Sequence, residues 1–484
     1  MITNLKPYPV YKDSGVEWLG QVPAHWEVLP GRTVFREIND RGYSDEQMLS
    51  VTITGGVMRQ ADLLADSSKK DSSNEDKSNY KLVQSGDLVY NKMRAWQGAV
   101  GVSAYRGIVS PAYIIQRLRN VENSPRYMHF LLRTPLFASE AERWSYGITS
   151  DQWSLRAEEF KCIYFSLPPL SEQTAIVRFL DYTDRRIWRV IRARQRQIKL
   201  LEEYKEALIS QAVTGRMDVR TGQPYPSYKD SGVEWLGKVP AHWELKPLKR
   251  WVRINASVLP DTTPADYEFR YIDIGSVGTG FLTREPQQLR FSNAPSRARR
   301  VLHMGDTIIS TVRTYLKAVY YVDGDAEALV CSSGFAVLTP GPSTQPKYVS
   351  YLVQSNTFTD RVTAESVGTA YPAIAEGRLG SFYVPIPPLP EQTAIAEYLD
   401  AQTARIDAAI EASRREIDLL REYRTCLISD VVTGKVDVRE VAPQLPEEPP
   451  EQEVEWMDRN ETAEAETADD DAAAEAFSKE EVET

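Results

Sequence analysis

The chain has 484 residues, 42% of them hydrophobic, three cysteines and a formal charge of −11, which suits about three domains with at least two sizeable cores. No run approaches the roughly 18 uncharged apolar residues that a membrane span needs, and the start MITNLKPYPVYKDSG lacks the basic-then-apolar order of a secretory leader. A cytoplasmic location with no membrane partner is therefore expected. Cys162, Cys331 and Cys426 are too dispersed for a disulfide framework or a zinc cluster; they are read as reduced packing residues, with no metal site.

The charge is unevenly spread. Residues 441 to 484 hold 16 Asp or Glu against Arg459 and Lys479, a net of −14, which leaves residues 1 to 440 at +3. An acidic disordered tail over 441–484 thus masks a mildly basic body that suits nucleic acid.

In chain order, the first flank is YPVYKDSGVEWLGQVPAHWEVLP, from Tyr8. A variable interior follows, with strand-like runs DLVYNKM and GIVSPAYIIQRL and a polar insert, residues 67 to 79, expected to be a mobile loop. A helix is predicted from Pro125, proline being tolerated at a first helical position. LPPLSEQTAI, from Leu167, then opens a long helix in which Ile187, Ile191, Arg194, Ile198, Leu201, Lys205 and Leu208 recur in steps of four and three, a coiled-coil seam. Glu172 favours the positive helix end, and Gly215, in AVTGRMDVR, stands where a stop is expected.

The order then repeats. YPSYKDSGVEWLGKVPAHWELKP starts at Tyr225, DTIISTV and ALVCSSGFAVL supply strand-like runs, and a helix is predicted from Pro346. IPPLPEQTAI from Ile386 opens a second long helix with Glu391 in its first turn, the seam Ile406, Ile410, Ser413, Ile417, Leu420, Arg424 and Leu427, and a stop at Gly434. Anchors inside the divergent interiors, Gly86, Asp87 and Arg94 against Gly305, Asp306 and Arg313, point to a shared fold. The expected domains are 1–165 and 217–384 for the two globular bodies, with spacer helices at 166–216 and 385–436. Only about ten residues link the first stop to Tyr225, so the second helix is expected to run back against the first. A helix over Ala175–Ser210 would be about 54 Å long, and a split duplex site read on one face is the matching target.

These motifs resemble the specificity (S) subunit of type I restriction-modification systems over residues 8 to 440; the carriers are SGVEWLG-VPAHWE, PPL-EQTAI and LLEEYKEALISQAVTG. The resemblance implies an α+β fold with two mixed α/β target-recognition domains. Two long helices join them as an antiparallel intramolecular coiled coil with pseudo-twofold symmetry. It also implies double-stranded DNA with a bipartite site as ligand, and two methyltransferase (M) subunits and motor-nuclease (R) subunits as partners. No cofactor is expected on this chain, while S-adenosylmethionine, ATP and Mg2+ belong on the partners. The tail after Val441 departs from the family pattern.

Catalytic signatures are missing. Ser110, Pro111, Ala112 and Tyr113 fail the Asn/Asp-Pro-Pro-Tyr pattern of adenine methyltransferases, GSVGTG at Gly275–Gly280 reads as a turn, and Val436 follows Gly434 and Lys435 where a phosphate loop needs Ser or Thr. His25 and His242 are read as packed or capped. Candidate DNA contacts are Lys92, Arg94 and Trp96; Arg297, Arg299 and Arg300; Arg313, Tyr315 and Lys317; and, in polar turns, Thr149, Gln152 and Tyr371. A dimeric DNA-binding regulator or scaffold and a self-sufficient DNA methyltransferase are the alternatives.

Overall fold

The computed structural model describes residues 5–65, 76–147, 153–368 and 371–446. Most of the polar insert, and the acidic tail beyond 446, lie outside the described residues. Two compact units divide the chain: Met1–Arg192 with Glu416–Thr484, and Ala193–Arg415.

The first unit is built on an antiparallel sheet in the order Phe35–Ile38, Tyr113–Leu118, Leu88–Asn91, Val100–Val102. The second has the same order in Val252–Ile254, Phe335–Pro340, Thr307–Ser310, Val319–Tyr321, again antiparallel. The Gly-Asp anchors explain themselves here. Gly86 and Gly305 hold φ of 91° and 90°, a region open to glycine. Asp87 accepts the Gln84 N–H at 2.8 Å and Asp306 the His303 N–H at 2.8 Å, closing the turn before the central strand.

DLVYNKM and DTIISTV each hold one strand, Leu88–Asn91 and Thr307–Ser310, whereas the other two strand-like runs each hold two. GIVSPAYIIQRL divides into Gly107–Val109 and Tyr113–Leu118, and ALVCSSGFAVL into Leu329–Ser332 and Phe335–Pro340. The breaks fall at Ser110–Ala112 and Ser333–Gly334, where Pro111 and Gly334 interrupt the ladder. The earlier strand of each pair leaves for another sheet. In the first unit, Gly107–Val109 pairs with Lys81–Val83, beside a separate hairpin, Leu49–Thr52 with Gly56–Arg59. In the second unit, Leu329–Ser332 sits inside a second four-stranded sheet, Gln287–Arg290, Glu268–Ile272, Leu329–Ser332, Ala298–Val301.

A helix pair backs each main sheet: Pro125–Leu132 and Pro135–Arg143, then Pro346–Gln354 and Asn356–Ala364. The Ser124, Thr134 and Ser355 hydroxyls accept backbone N–H groups at the starts of three of them, the role for which short polar side chains are favoured at N-caps. The fully buried Tyr127 and Tyr348 carry hydroxyls that need partners. Tyr127 donates to the carbonyls of Ser166 and Val432 at 3.0 and 3.1 Å; Tyr348 donates to Pro385 and Val213 at 3.1 and 3.2 Å.

Those bonds reveal an exchange. The long helices run Leu170–Val213 and Leu389–Val432, about 66 Å each at 1.5 Å per residue. They are longer than the Ala175–Ser210 expectation because the Pro-Pro-Leu step itself starts the helix, with the Pro169 carbonyl accepting the Glu172 and Gln173 N–H groups. In the first unit, the end of the second helix (Leu427, Ile428, Val431, Val432) joins the core of Trp26, Phe137, Phe160 and Phe165. In the second unit, the end of the first helix (Leu208, Ile209, Ala212, Val213) joins that of Trp243, Phe358 and Phe382. Each body is completed by the helix of the other repeat. At roughly 1.5–3 kcal/mol per buried large aliphatic side chain, these ends contribute strongly to both cores.

The helices are antiparallel within each unit. In the first, Ile176, Phe179 and Leu180 share a core with Leu427, Ile428, Val431 and Val432, Asp184 pairs with Arg424, and Ile187 and Val190 line one groove with Glu416, Leu419 and Leu420. Rising numbers on one helix meet falling numbers on the other. In the second unit, Glu202 pairs with Arg414 at 3.2 Å and Lys205 with Asp407 at 2.7 Å. Along the seam, Ile187, Ile191, Leu208, Ile406, Ile410, Ile417 and Leu427 are buried, and Ile198, Leu201 and Leu420 half-buried.

The flanks lock onto the helix starts. Glu172, buried, accepts Tyr8 Oη–H at 2.5 Å and Trp26 Nε1–H at 2.8 Å, with His25 Nε2 at 2.7 Å from its other oxygen. Glu391 takes the Tyr225 hydroxyl and stands 2.9 Å from His242 Nε2. The histidines are thus clasped by the glutamates that begin the long helices. The stops are equally specific: Gly215 and Gly434 have φ of 73° and 79°, and an added Cβ would lie 2.3 Å from Pro240 Cδ or Pro23 Cδ.

Of the three cysteines, only the buried Cys331 fills the packing role expected of all three, its thiol pushed up by burial. Cys162 is half-buried and Cys426 exposed, because the latter points off the seam of its helix. Past the second stop the chain stays packed: Ala442 is buried and Leu445 rests on the first core.

Candidate nucleic-acid interface

In each unit a turn leaves the central strand, and after the helix pair an antiparallel bridge forms, Tyr146 with Ser154 in the first unit and Val367 with Ala373 in the second. In the second unit this turn is Thr314–Leu316, flanked by Arg313 and Lys317 at φ of 51° and 49°. Left-handed φ in non-glycine residues costs about 1–2 kcal/mol each, so the surroundings must hold them there. The Arg313 N–H donates to the Pro372 carbonyl at 2.7 Å, the Thr311 carbonyl accepts the Ile374 N–H at 2.9 Å, and Thr314 Oγ1 meets Ser366 Oγ at 2.8 Å. The result aims the Arg313 guanidinium over the Tyr371 ring, 5.1 Å from its centroid.

These two residues form one wall of a cleft of about 640 Å³ within the second unit. Arg297 lies on it too, with Tyr271 and Ser332 from the second sheet and Asp273 just past the end of a strand of that sheet. Asp273 is positioned by a capping box with Ser276, whose hydroxyl donates to it at 2.9 Å. Two guanidinium groups, a carboxylate and two aromatic faces in one open cleft can bind the donors and acceptors of a base edge or a phosphate and stack on a ring.

The other basic candidates are engaged elsewhere. Arg299 pairs with Asp261 at 3.3 Å and stacks on Phe291; Arg300 pairs with Glu376 at 2.5 Å. A bulge between Ala298 and Arg300 turns successive arginines of this run in different directions. Lys317 pairs with Asp360 at 2.7 Å, while Tyr315 is 54% exposed. Of GSVGTG, Gly275 borders the cleft and the remainder is a turn bridged from Val277 to Leu282. Tyr271, Asp273 and Ser332 were missed by sequence reasoning; the one available signal was polar side chains ending two strand-like runs, YIDIG and LVCSS.

In the first unit the corresponding turn holds Lys92, Arg94 and Trp96. The Lys92 carbonyl accepts the Leu155 N–H at 2.7 Å, Arg94 donates to Gln97 at 3.2 Å, and Trp96 packs edge-on against Trp153, 5.7 Å between centroids. Lys92 is buried, and the half-buried Trp96 rests on the core. Thr149 and Gln152 lie outside the described residues. A residue not singled out from sequence stands nearby: Lys81 is buried, donates to the Tyr113 carbonyl at 2.8 Å, and is pushed down to about 8 by burial and then by Arg41.

Among the described residues no group of three or more His, Cys, Asp or Glu gathers as a metal site, and no helix is long and apolar enough to cross a membrane.

Comparison with known proteins bears directly on this layout. A Methanocaldococcus jannaschii protein provisionally named the MjaX type I restriction enzyme specificity subunit is 24% identical over 440 residues, covering 87% of this chain and 96% of its own. The MjaVIII type I restriction enzyme specificity subunit of the same organism is 22% identical over 374 residues, 75% of this chain and 83% of its own. A solved chain from work on complex assembly and conformational transition of the type I R-M system shares the fold, with a TM-score of 0.63 at 17% identity, over 85% of this chain and 98% of its own. The family described as type I restriction modification DNA specificity domain matches residues 33–200 and 292–418. That match takes in more than half of the sequence and parts of both repeats, and the chain belongs to this family.

Proposed function

We propose that this chain is the DNA-recognition subunit of a type I restriction-modification complex and is not itself catalytic. Each unit reads one half of a split, asymmetric duplex site. The paired helices set the spacer and dock two methyltransferase subunits, to which motor-nuclease subunits add; S-adenosylmethionine, ATP and Mg2+ bind those partners. The observation that carries this reading is the duplicated frame around unlike interiors. The same sheet order, the same tyrosine–glutamate bond and the same borrowed helix end recur, while among the described residues only the second unit adds a second four-stranded sheet, with arginines on its strands. Rigid elements that position variable surfaces are what a reader of two different half-sites requires.

The test is sequencing of methylated adenines in cells that carry the chain with its methyltransferase. Replacing the interior of the second unit alone should change one half-site. Deleting one heptad from each long helix should shorten the tolerated spacer and leave both half-sites unchanged. Methyl transfer by the isolated chain, or half-sites that change on heptad deletion, would overturn the proposal.

A further inference from the structure

The two long helices keep one seam but differ in charge along matching stretches. From residue 178 to 199 the first helix carries Arg178, Arg185, Arg186, Arg189, Arg192, Arg194, Arg196 and Lys199 against Asp181 and Asp184, a net of +6. The matching stretch of the second, residues 397 to 418, has three arginines against six acids, a net of −3. Seam packing does not require this difference.

The basic helix also borders an apolar groove. Within the first unit, Phe179, Tyr182 and Val190 face Leu419, Leu420 and Tyr423 across about 540 Å³. Leu419 is 65% exposed, and Val190 and Tyr423 are exposed as well.

The described chain ends beside it. Arg178 Nη2 donates to the Leu445 carbonyl at 2.6 Å, one residue before Phe179 at the end of the groove. Beyond residue 446 come 38 residues, 447 to 484, with a net charge of −14. Their first large apolar side chains are Val454, Trp456 and Met457, set among Glu451, Glu453, Glu455 and Asp458. From Leu445 to Val454 an extended chain reaches about 30 Å, whereas Phe179 to Val190 is about 17 Å of helix.

We propose that the acidic tail docks back on its own chain, seating Trp456 and Met457 in the groove between the long helices, with its carboxylates along the arginine-rich face of the first helix. Chain connectivity holds this segment at millimolar effective concentration, so modest contacts suffice. Anything else that binds the groove must first displace the tail, which makes the tail an intrachain competitor for that surface.

A photo-crosslinking experiment on the full chain tests this. With p-benzoylphenylalanine at Leu419, irradiation and tryptic mapping should give an intramolecular link to the peptide Glu440–Arg459, at Trp456 or Met457. The link should be lost in Trp456→Glu/Met457→Glu and strongly reduced in 1 M salt, where the screening length is about 3 Å. A link between two chains, which means a second copy fills the groove, a link to any other segment, or no link at all overturns the proposal. A measurement without the unnatural residue guards against disturbance of the groove. The emission of Trp456, taken as the difference between the full chain and Trp456→Phe, should lie to the blue of solvated tryptophan; a water-like spectrum overturns the proposal as well.

Discussion

Lys81 in the first unit and Arg300 in the second occupy corresponding places, each on the strand that pairs with the run before the interrupted turn. Their solutions differ. Arg300 is answered by Glu376, and its sheet is widened to four strands by a parallel pairing between Glu268–Ile272 and Leu329–Ser332. In the first unit the corresponding parallel contact is one bridge, Met48 to Ile108, and Lys81 is buried with a backbone carbonyl as its partner. The main sheet, the tyrosine–glutamate and histidine–glutamate contacts of the clasp, and the exchanged helix end are the same in both units. The frame is therefore held by close packing that admits little change, whereas the outer sheet tolerates a different strand count and a different charge arrangement. That tolerance is what a variable reading surface needs.

The strongest way to break the comparison is to attack the frame at a helix stop. Gly434→Ala should destabilise the first unit by about 2–5 kcal/mol, combining a left-handed φ with overpacking against Pro23 and Trp26. Gly215→Ala should do the same to the second unit, through Pro240 and Trp243. Amide exchange resolved by residue reads each effect separately. Equal loss in both units from either variant would mean that the borrowed helix ends are not local anchors.

Next in size is the buried lysine. The Lys81 ammonium is pushed from its ordinary 10.5 down to about 8, so between these values the unfolded chain binds the extra proton and stability rises with pH. The cost of burying the charge is fully present below pH 8 and is relieved by pH 10.5, a change of about 3 kcal/mol. Denaturation of the wild type and Lys81→Met at a series of pH values should show this slope in the first and not in the second. Parallel curves would mean that Lys81 keeps its charge at no cost.

What the sequence made legible follows the same division. The repeat, the 4-3 seam and the Gly-Asp anchors are local signals with a fixed period or spacing, and the antiparallel pairing followed from the short link to Tyr225. The exchange of helix ends was hidden because Val213 and Val432 read as the last turn of a helix, and nothing local says which core receives them. Glu172 and Glu391 were read for the helix dipole alone, since a clasp on Tyr8, His25 and Trp26 depends on contacts nearly 150 residues or more apart. In the basic run, Arg297, Arg299 and Arg300 look alike in sequence; a bulge and two acidic partners separate the one on the cleft from the two that brace the sheet.

The cleft gives the third prediction. Arg313→Ala and Arg297→Ala should each weaken discrimination at the half-site read by the second unit by about 1–3 kcal/mol, with the first half-site unaffected. Competition binding with half-site variants distinguishes the roles. A uniform loss on all duplexes, with a shallower salt dependence, would make the residue a phosphate contact.

The smallest expected effect separates two near-identical clasps. Glu172 satisfies two buried donors, the Tyr8 hydroxyl and the Trp26 indole N–H. Glu391 satisfies the Tyr225 hydroxyl, while the Trp243 indole N–H has no hydrogen-bond partner among the described residues. Replacing each glutamate by methionine keeps the volume and orphans those donors, one more in the first unit than in the second. An unmet buried donor costs at least on the order of 1 kcal/mol, so Glu172→Met should destabilise its unit by about 1 kcal/mol more than Glu391→Met does its own. His25 and His242 are half-exposed and turn to water in either variant, and the Arg220–Glu391 approach at 3.6 Å is too exposed on the arginine side to reverse the order. Equal losses in the two units would show that the indole bond adds nothing beyond the tyrosine bond that both clasps share.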